Sequence, residues 1–114
     1  MKGFYRYETA DIPLTFTPDG VLEGYRHIVV SMAQNDAVKI NKTEEDLEID
    51  VQENKIIVPL SQEETGLFIG GERNNPKSVK IQVNIYYNNA ERDVSTIGTL
   101  EVYDNLYKEV MLDG

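Results

Sequence analysis

The segment SVKIQVNIYY, residues 78–87, alternates polar and apolar side chains with a period of two. Successive side chains of an extended strand point to opposite faces, so this pattern gives one apolar face and one polar face. The same period recurs in HIVVSM (27–32), IPLTF (12–16) and TLEVY (99–103). Such segments are typical of antiparallel strands that pack one face on a core and leave the other in water.

The number and spacing of these segments predict the fold class. Connections rich in Gly, Pro, Asn and Asp separate them, at residues 17–25 and 70–77. We predict an all-β fold, an immunoglobulin-like antiparallel β-sandwich of about 7 strands. A small β-barrel is the alternative. The chain of 114 residues fits one domain, which we place at residues 1–103, with an amphipathic tail at 104–114.

Two hairpins can be assigned a register from their apolar residues. A two-residue turn at Glu53–Asn54 pairs Ile49 with Val58 and keeps apolar residues opposite one another. A turn at Asn88–Asn89 pairs Val83 with Val94. This second register leaves open a longer loop or a bulge near the turn, because it places a charged residue opposite an apolar one.

The stretch IIVPLSQEETGLF, residues 56–68, predicts a corner between two sheets. Pro59 has no amide hydrogen and belongs near a strand end or edge. Ser61 and Glu64 have the spacing of a capping box, which begins a short helical turn at residues 61–66. Gly66 then ends that turn in a left-handed conformation.

Motifs for catalysis or metal binding are absent from the sequence. The chain has no cysteine and one histidine, His27, which we expect to be solvated on a strand's polar face. The serines and glycines form no nucleophile or phosphate-binding motif. The acidic run TEEDLEIDVQE lacks the spacing and central glycine of a calcium loop. We predict no catalytic, cofactor-binding or metal site, and no enzyme.

The net charge of −9 argues against nucleic acid as a partner, because the 11 basic residues are scattered. No segment approaches the roughly 20 apolar residues of a membrane helix. The N-terminus lacks the apolar region of a secretory signal peptide. We therefore expect no nucleic-acid, membrane or small-molecule partner and no signal peptide.

Protein contacts are the remaining expectation. Tyrosine suits interfaces, and Tyr86 lies on the polar face of its strand, opposite the apolar set. The segment DNLYKEVML has helical spacing, which pairs Leu106 with Val110 and Tyr107 with Met111. So short a helix is marginal in water, so the tail packs on its own domain, frays or docks on a neighbour. These five residues are the predicted interface.

One motif carries a family resemblance. The sequence contains LEIDVQENKIIVPL, then LSQEET with Phe68, then KSVKIQVNIYY and STIGTLEVYDNL. In this order the pieces resemble small prophage structural proteins of Firmicutes and the N-terminal domain of siphophage upper baseplate proteins. The chain departs from that pattern at its Asn88–Asn89 turn, where family members often carry a glycine.

The resemblance implies a structural or assembly protein of a phage or prophage tail or baseplate. Its partners would be itself or other tail proteins, in the virion or the bacterial cytoplasm during assembly. The alternative is a carbohydrate- or cell-surface-binding β-sandwich module. Exposed aromatic platforms would serve such a module, and the candidates are Tyr5, Tyr7, Tyr86 and Tyr87.

Overall fold

A computed structural model describes residues 3–17, 20–72, 74–88 and 93–105, without the side chains of 93 and 94. The described residues form eight strands, one turn of α-helix and one 3-10 turn, joined by loops. In chain order they are β1 Phe4–Tyr5, β2 Ala10–Thr15, β3 Tyr25–Gln34, β4 Ala37–Thr43, the 3-10 turn Glu44–Asp46, β5 Glu48–Asp50, β6 Lys55–Leu60, α1 Gln62–Thr65, β7 Lys77–Tyr87 and β8 Asp93–Tyr103.

The strands form two sheets that pack face to face. The large sheet has the order β1-β8-β7-β3-β4, and the small sheet has the order β2-β6-β5. This is the immunoglobulin-type arrangement, in which the second, fifth and sixth strands oppose the third and the last two. The all-β prediction is confirmed. One pair differs from a purely antiparallel sandwich, because β1 runs parallel to β8 over two residues.

The apolar faces meet between the sheets and form the core. Alternate residues of β7, β3 and β6 are buried, as the period of two predicts. The largest side chains that are less than 2% exposed come from both sheets and the connections: Phe68, Leu22, Ile28, Met32, Ile56, Ile81, Ile85, Leu100, Val30, Val58, Val79 and Val102. No helix among the described residues is long and apolar enough to cross a membrane.

Both predicted hairpin registers are wrong by two residues. Ile49 pairs with Ile56 rather than Val58, and Val83 pairs with Thr96 rather than Val94. A shift of two leaves every side chain on its predicted face, so apolar matching alone could not detect it. The first turn is centred on Gln52 and Glu53, one residue earlier than predicted, because the Asn54 amide donates to the Val51 carbonyl at 3.3 Å. Part of the second turn, residues 89–92, lies outside the described ranges.

Asn54 is the last residue of the first turn and its side chain lies inside the domain. It has a φ of 55°, and its side chain is buried inside the domain rather than exposed at a hairpin tip. Its Nδ2 donates to the Phe16 carbonyl at 2.7 Å, and its Oδ1 accepts from the Leu22 amide at 3.3 Å. These bonds favour Asn54 as the inward-facing last residue of the turn over the predicted place at the hairpin tip.

The predicted corner is present. Ser61 Oγ accepts a hydrogen bond from the Glu64 amide at 3.2 Å, and the Glu64 carboxylate accepts from the Ser61 amide at 2.9 Å. The capping box is thus confirmed. Pro59 pairs with Asp11 of β2, beyond the residues that β5 pairs, so its missing amide hydrogen leaves no gap in the ladder.

Gly66 is required for space rather than for a left-handed conformation. Its φ is −70° and its ψ is −13°, so the predicted left-handed ending is wrong. A Cβ at this position would lie 2.6 Å from Cε1 of Tyr7. Glycine therefore lets the Tyr7 ring pack against the end of α1.

The domain's described contacts continue past the predicted boundary at residue 103. The Asp104 amide donates to the Gly71 carbonyl at 2.8 Å, and Asn105 Nδ2 donates to the Arg6 carbonyl at 3.2 Å. The predicted tail helix and its interface residues lie outside the described residues: Leu106, Tyr107, Val110 and Met111.

Candidate ligand-binding face

The outer face of the large sheet carries a row of amide and hydroxyl side chains. Ser31 of β3 pairs with Asn41 of β4 on one side and with Gln82 of β7 on the other. Ser31 Oγ donates to Asn41 Oδ1 at 2.6 Å, and Gln82 Nε2 donates to Ser95 Oγ of β8 at 2.9 Å. We call these four residues, Asn41, Ser31, Gln82 and Ser95, the polar row.

The row crosses four neighbouring strands. Adjacent strands lie about 4.8 Å apart, so its four side chains span about 14 Å across the sheet. Within the described residues, neither the Asn41 amide NH2 nor the Gln82 side-chain carbonyl has a hydrogen-bond partner in the protein. The row therefore offers both hydrogen-bond donors and acceptors to a ligand above the sheet.

An aromatic pair bounds one end of this face. Tyr86 of β7 stacks on His27 of β3, with ring centroids 5.8 Å apart and planes 25° apart. Tyr86 lies four residues from Gln82 on the same strand, about 13 Å away. The predicted interface residue Tyr86 is thus on the outer face and half-buried.

His27 is paired rather than simply solvated, which corrects the expectation from sequence. Its Nδ1 lies 2.8 Å from the carboxylate of Glu44, at the start of the 3-10 turn. The same carboxylate accepts from the Ile28 amide at 3.1 Å. The hydrogen bond from His27, followed by those from backbone amides, lowers the pKa of Glu44 to about 2. Glu44 thereby fixes the orientation of the imidazole beneath Tyr86.

A second aromatic pair stands at the opposite end of β8. Tyr5 and Tyr103 are register partners whose ring centroids lie 5.2 Å apart, and Tyr5 is 45% exposed. The Tyr103 hydroxyl donates to Glu101 at 2.6 Å. This end is about 33 Å from the beginning of β8, so the two pairs bound a long face.

Two other tyrosines proposed as platforms do not reach this face. Tyr87 is 2% exposed, and its hydroxyl donates to the Val21 carbonyl. Tyr87 lies on the same face of β7 as Val83 and Ile85, which is the face that packs in the core. Tyr7 is half-buried beside α1, with the Arg6 guanidinium 5.0 Å from its ring centroid.

The chemistry of the face suits a neutral polar ligand. Its centre consists of amides and hydroxyls, and its ends consist of rings that can pack against apolar CH groups. The exposed charged residues of the large sheet's strands, apart from His27 and within the described side chains, are Arg26, Lys39, Lys77, Lys80 and Glu101, and none of them belongs to the polar row. Across the described part of the chain, no group of three or more His, Cys, Asp or Glu residues could hold a metal ion.

Sequence reasoning missed the polar row because it depends on which strands are neighbours. The alternation placed Ser31 and Gln82 on wet faces but could not show that β3 lies between β4 and β7. A signal was present, since the outward residues of β7 and β8 are mostly uncharged in a chain of net charge −9. That neutrality on a wet face is the feature that could have identified the site.

Comparison with known proteins shows the fold. No protein-family model and no curated protein matches the chain. Among solved structures, it is similar to an endo-β-1,4-mannanase from Thermotoga petrophila, with TM-score 0.50 and 11% identity over 90% of this chain. It is also similar to a putative glycoside hydrolase from Bacteroides vulgatus, with TM-score 0.52 and 9% identity over 92% of this chain. It spans 18% and 17% of those chains.

These likenesses overturn the prediction that the protein is not an enzyme. That prediction combined the absence of catalytic motifs with a fold taken to belong to structural proteins. The same fold occurs within chains named as glycoside hydrolases. The resemblance to phage proteins is tested by none of the comparisons and stays a prediction.

Proposed function

We propose that this β-sandwich is a carbohydrate-binding module whose ligand lies across the outer face of the large sheet. The observation that carries the proposal is the polar row, bounded by the stacked His27–Tyr86 pair. Sugar hydroxyls both donate and accept hydrogen bonds, as do the amides and hydroxyls of the row. The CH faces of a sugar ring are apolar and pack on aromatic rings.

The ligand class follows from charge. The protein carries a net charge of −9, and the polar row itself contains neither an acidic nor a basic side chain. An acidic polysaccharide would be repelled, whereas a neutral one is not affected by the protein's field. We therefore assign a neutral polysaccharide. Similarity to part of a chain named an endo-β-1,4-mannanase makes β-1,4-linked mannan the first candidate.

The test is retention of the protein in native gels that contain a single polysaccharide. The panel comprises β-1,4-mannan, cellulose derivatives, xylan and an acidic polymer such as polygalacturonate. The proposal predicts retention by at least one neutral polymer and none by the acidic one. Retention should change little between low and high salt, because no phosphate-like or carboxylate charge is neutralised.

Two variants test whether the polysaccharide binds the outer face of the large sheet. Gln82→Ala removes the centre of the row, and Tyr86→Ala removes one ring of the aromatic pair. Each is expected to weaken binding about tenfold, since each deletes a contact worth roughly 1.4 kcal/mol. Glu48→Ala on the outer face of the small sheet is the matched control and should bind like the wild type. Equal losses in all three variants would contradict the placement.

Hydrolysis is measured in the same samples as release of reducing ends, because the similar structures are named as hydrolases. Release by the wild type would assign the face to a catalytic domain. Retention without release supports the binding module. No retention by any neutral polymer would contradict the proposal.

A second proposal keeps the role implied by the phage resemblance, a tail or baseplate component that acts through protein contacts. The observation that favours it is the open edge of β8, where Ile97 is 66% exposed. Co-purification with the products of neighbouring genes separates the two proposals. Tail proteins recovered with the chain, together with no retention by any polysaccharide, would favour this second role.

A further inference from the structure

A polar pocket lies at one end of the outer face, beside the turn that joins β3 to β4. It has a volume of about 310 Å³. We call it the end pocket, and its lining residues are Ala33, Gln34, Asn35, Asp36, Ser78 and Lys80. Ala33 of β3 and Lys80 of β7 are register partners, so the pocket begins on two neighbouring interior strands of the large sheet.

The end pocket continues the proposed binding face along these strands. Ser31 and Gln82, the middle of the polar row, are register partners, and Ala33 and Lys80 pair two residues further along. Two residues of a strand span about 7 Å and point to the same face. The aromatic pair lies in the other direction, about 13 Å from the row. The aromatic pair, the middle of the row and the pocket therefore form one line about 20 Å long on β3 and β7.

The wall of the end pocket is fixed by the hairpin and its anchor. Asn35 and Asp36 have φ values of 53° and 63°, and positive φ at both central residues is the geometry of a tight hairpin turn that Asn and Asp tolerate. Gln34 Nε2 donates to the Ile69 carbonyl at 2.7 Å, and Gln34 Oε1 accepts from the Ile69 amide at 2.6 Å. These bonds hold the base of the hairpin against the loop that follows α1.

The contacts of the fold leave polar groups of the pocket available to a ligand. Within the described residues, the Asn35 amide, the Asp36 carboxylate and the Lys80 ammonium have no hydrogen-bond or ion-pair partner in the protein, and all three residues are exposed. The carboxylate accepts hydrogen bonds and the ammonium donates them, and such charge-assisted bonds are the stronger ones. Because the two charges are opposite, the pocket adds no net charge to the face and suits a neutral ligand.

We propose that the end pocket is a second sugar subsite and that the polysaccharide runs along β3 and β7, from the aromatic pair over the polar row into the pocket. The subsite rests on the proposed function, because its ligand is the same polysaccharide. In the pocket, the Asp36 carboxylate accepts hydrogen bonds from sugar hydroxyls, and the Lys80 ammonium donates to sugar oxygens.

The edge of the sheet favours this direction over a path across the strands. A sugar chain that crosses the strands leaves the sheet beyond Asn41, because β4 is the edge strand. A chain along β3 and β7 stays above the sheet for about 20 Å. Along that path it meets rings that pack on its CH groups at one end and a pocket that bonds its hydroxyls at the other.

Isothermal titration calorimetry with sugars of two lengths tests the subsite. The probes are the disaccharide and the hexasaccharide of β-1,4-mannan, or the same pair from the neutral polymer that the gels retain. Asp36→Asn and Lys80→Gln each remove one charge from the pocket, and asparagine tolerates the positive φ of position 36. Each is expected to raise the Kd of the hexasaccharide about tenfold, since each weakens a hydrogen bond to a charged group. Lys39→Gln, at an exposed lysine of β4 outside the pocket, is the matched control and should bind like the wild type.

The disaccharide shows whether the pocket extends the site along the strands. It cannot cover both the aromatic pair and the pocket, so the wild type should bind the hexasaccharide more tightly, and both pocket variants should lose most of this gain while circular dichroism shows them folded. An unchanged hexasaccharide Kd in both pocket variants, an equal loss in Lys39→Gln, or equal losses for the two sugar lengths would overturn the subsite. If Gln82→Ala still weakens binding in that case, the proposed function stands without it. A wild type that binds neither sugar would overturn both.

Discussion

The two sheets of this sandwich both have one face in water, yet those faces differ in chemistry. The large sheet presents the polar row, which is uncharged and lies across four strands as two hydrogen-bonded pairs, Ser31 with Asn41 and Gln82 with Ser95. The small sheet presents charges in half of its outward positions, namely Asp11, Glu48, Asp50 and Lys55. A charged face suffices for solubility. The amides and hydroxyls aligned across the strands of the large sheet are the reason we propose it, and not the small sheet, as the binding surface.

The two sheets also differ in the contacts that stabilise them. The strands β7 and β8 are each eleven residues long and pair along most of their length. The strand β5 has three residues, and its sheet depends on side-chain anchors at both ends. These anchors are the buried Asn54 and the corner at Ser61 and Glu64. Substitutions should therefore affect stability most at the small sheet and binding most at the large one.

The largest effect on stability is expected at Asn54. Asn54→Ala removes two buried hydrogen bonds and places a Cβ-bearing residue without a polar side chain at a positive φ. We expect a loss of about 3 kcal/mol in the free energy of unfolding, measured in urea. Asn41→Ala, an exposed asparagine of the polar row, should cost less than about 0.5 kcal/mol. Similar losses at both positions would remove the proposed difference between the sheets.

The corner should give the next largest effect. Ser61→Ala removes one half of the capping box and should cost about 1 kcal/mol. Glu64→Ala should cost more, because the Glu64 carboxylate also lies 3.0 Å from Nζ of the largely buried Lys42. Partial burial raises the pKa of Glu64, but hydrogen bonds from Ser61 and Lys42 outweigh it and hold the pKa below its ordinary value.

The exposed Glu63 is the control for the corner. Glu63→Ala should change the free energy of unfolding by less than about 0.5 kcal/mol. Equal losses from Glu63→Ala and Glu64→Ala would show that general charge, rather than the hydrogen bonds of the capping box, stabilises this segment.

The smallest expected effect is the change of stability with pH that Glu44 contributes. The pKa of Glu44 is lowered from 4.5 to about 2 in the folded protein, so its carboxylate stabilises the fold above pH 4.5. That stability is lost as the pH falls from 4.5 toward 2, because the carboxylate becomes protonated. The difference in melting temperature between the wild type and Glu44→Gln should shrink over this range. A difference that stays constant down to pH 2 would argue that His27 and Glu44 do not interact.

How far the sequence predicts this molecule can be judged from particular residues. The period of two placed Val79, Ile81 and Val83 in the core, because strand parity is a local property. The capping box at Ser61 was readable for the same reason. The hairpin registers were not, since a shift of two residues leaves every side chain on the same face; in the first hairpin, the shift goes with the buried hydrogen bonds of Asn54 to distant segments.

Contacts between distant segments explain the rest. The ion pair of Lys42 with Glu64 joins positions 22 residues apart, and that of His27 with Glu44 joins positions 17 apart. Neither spacing carries a periodic signal. The polar row likewise requires the order of four strands, which only the folded topology supplies.

The most direct test of the binding face is chemical-shift mapping of the isotope-labelled protein by nuclear magnetic resonance. The protein is titrated with a short oligosaccharide of whichever neutral polymer retains it most strongly. We predict saturable shifts at Asn41, Ser31, Gln82 and Tyr86, with none at Glu48 and Asp50 of the small sheet. Shifts centred on the small sheet, or no saturable shifts on the large one, would contradict the assignment of this face as the carbohydrate site.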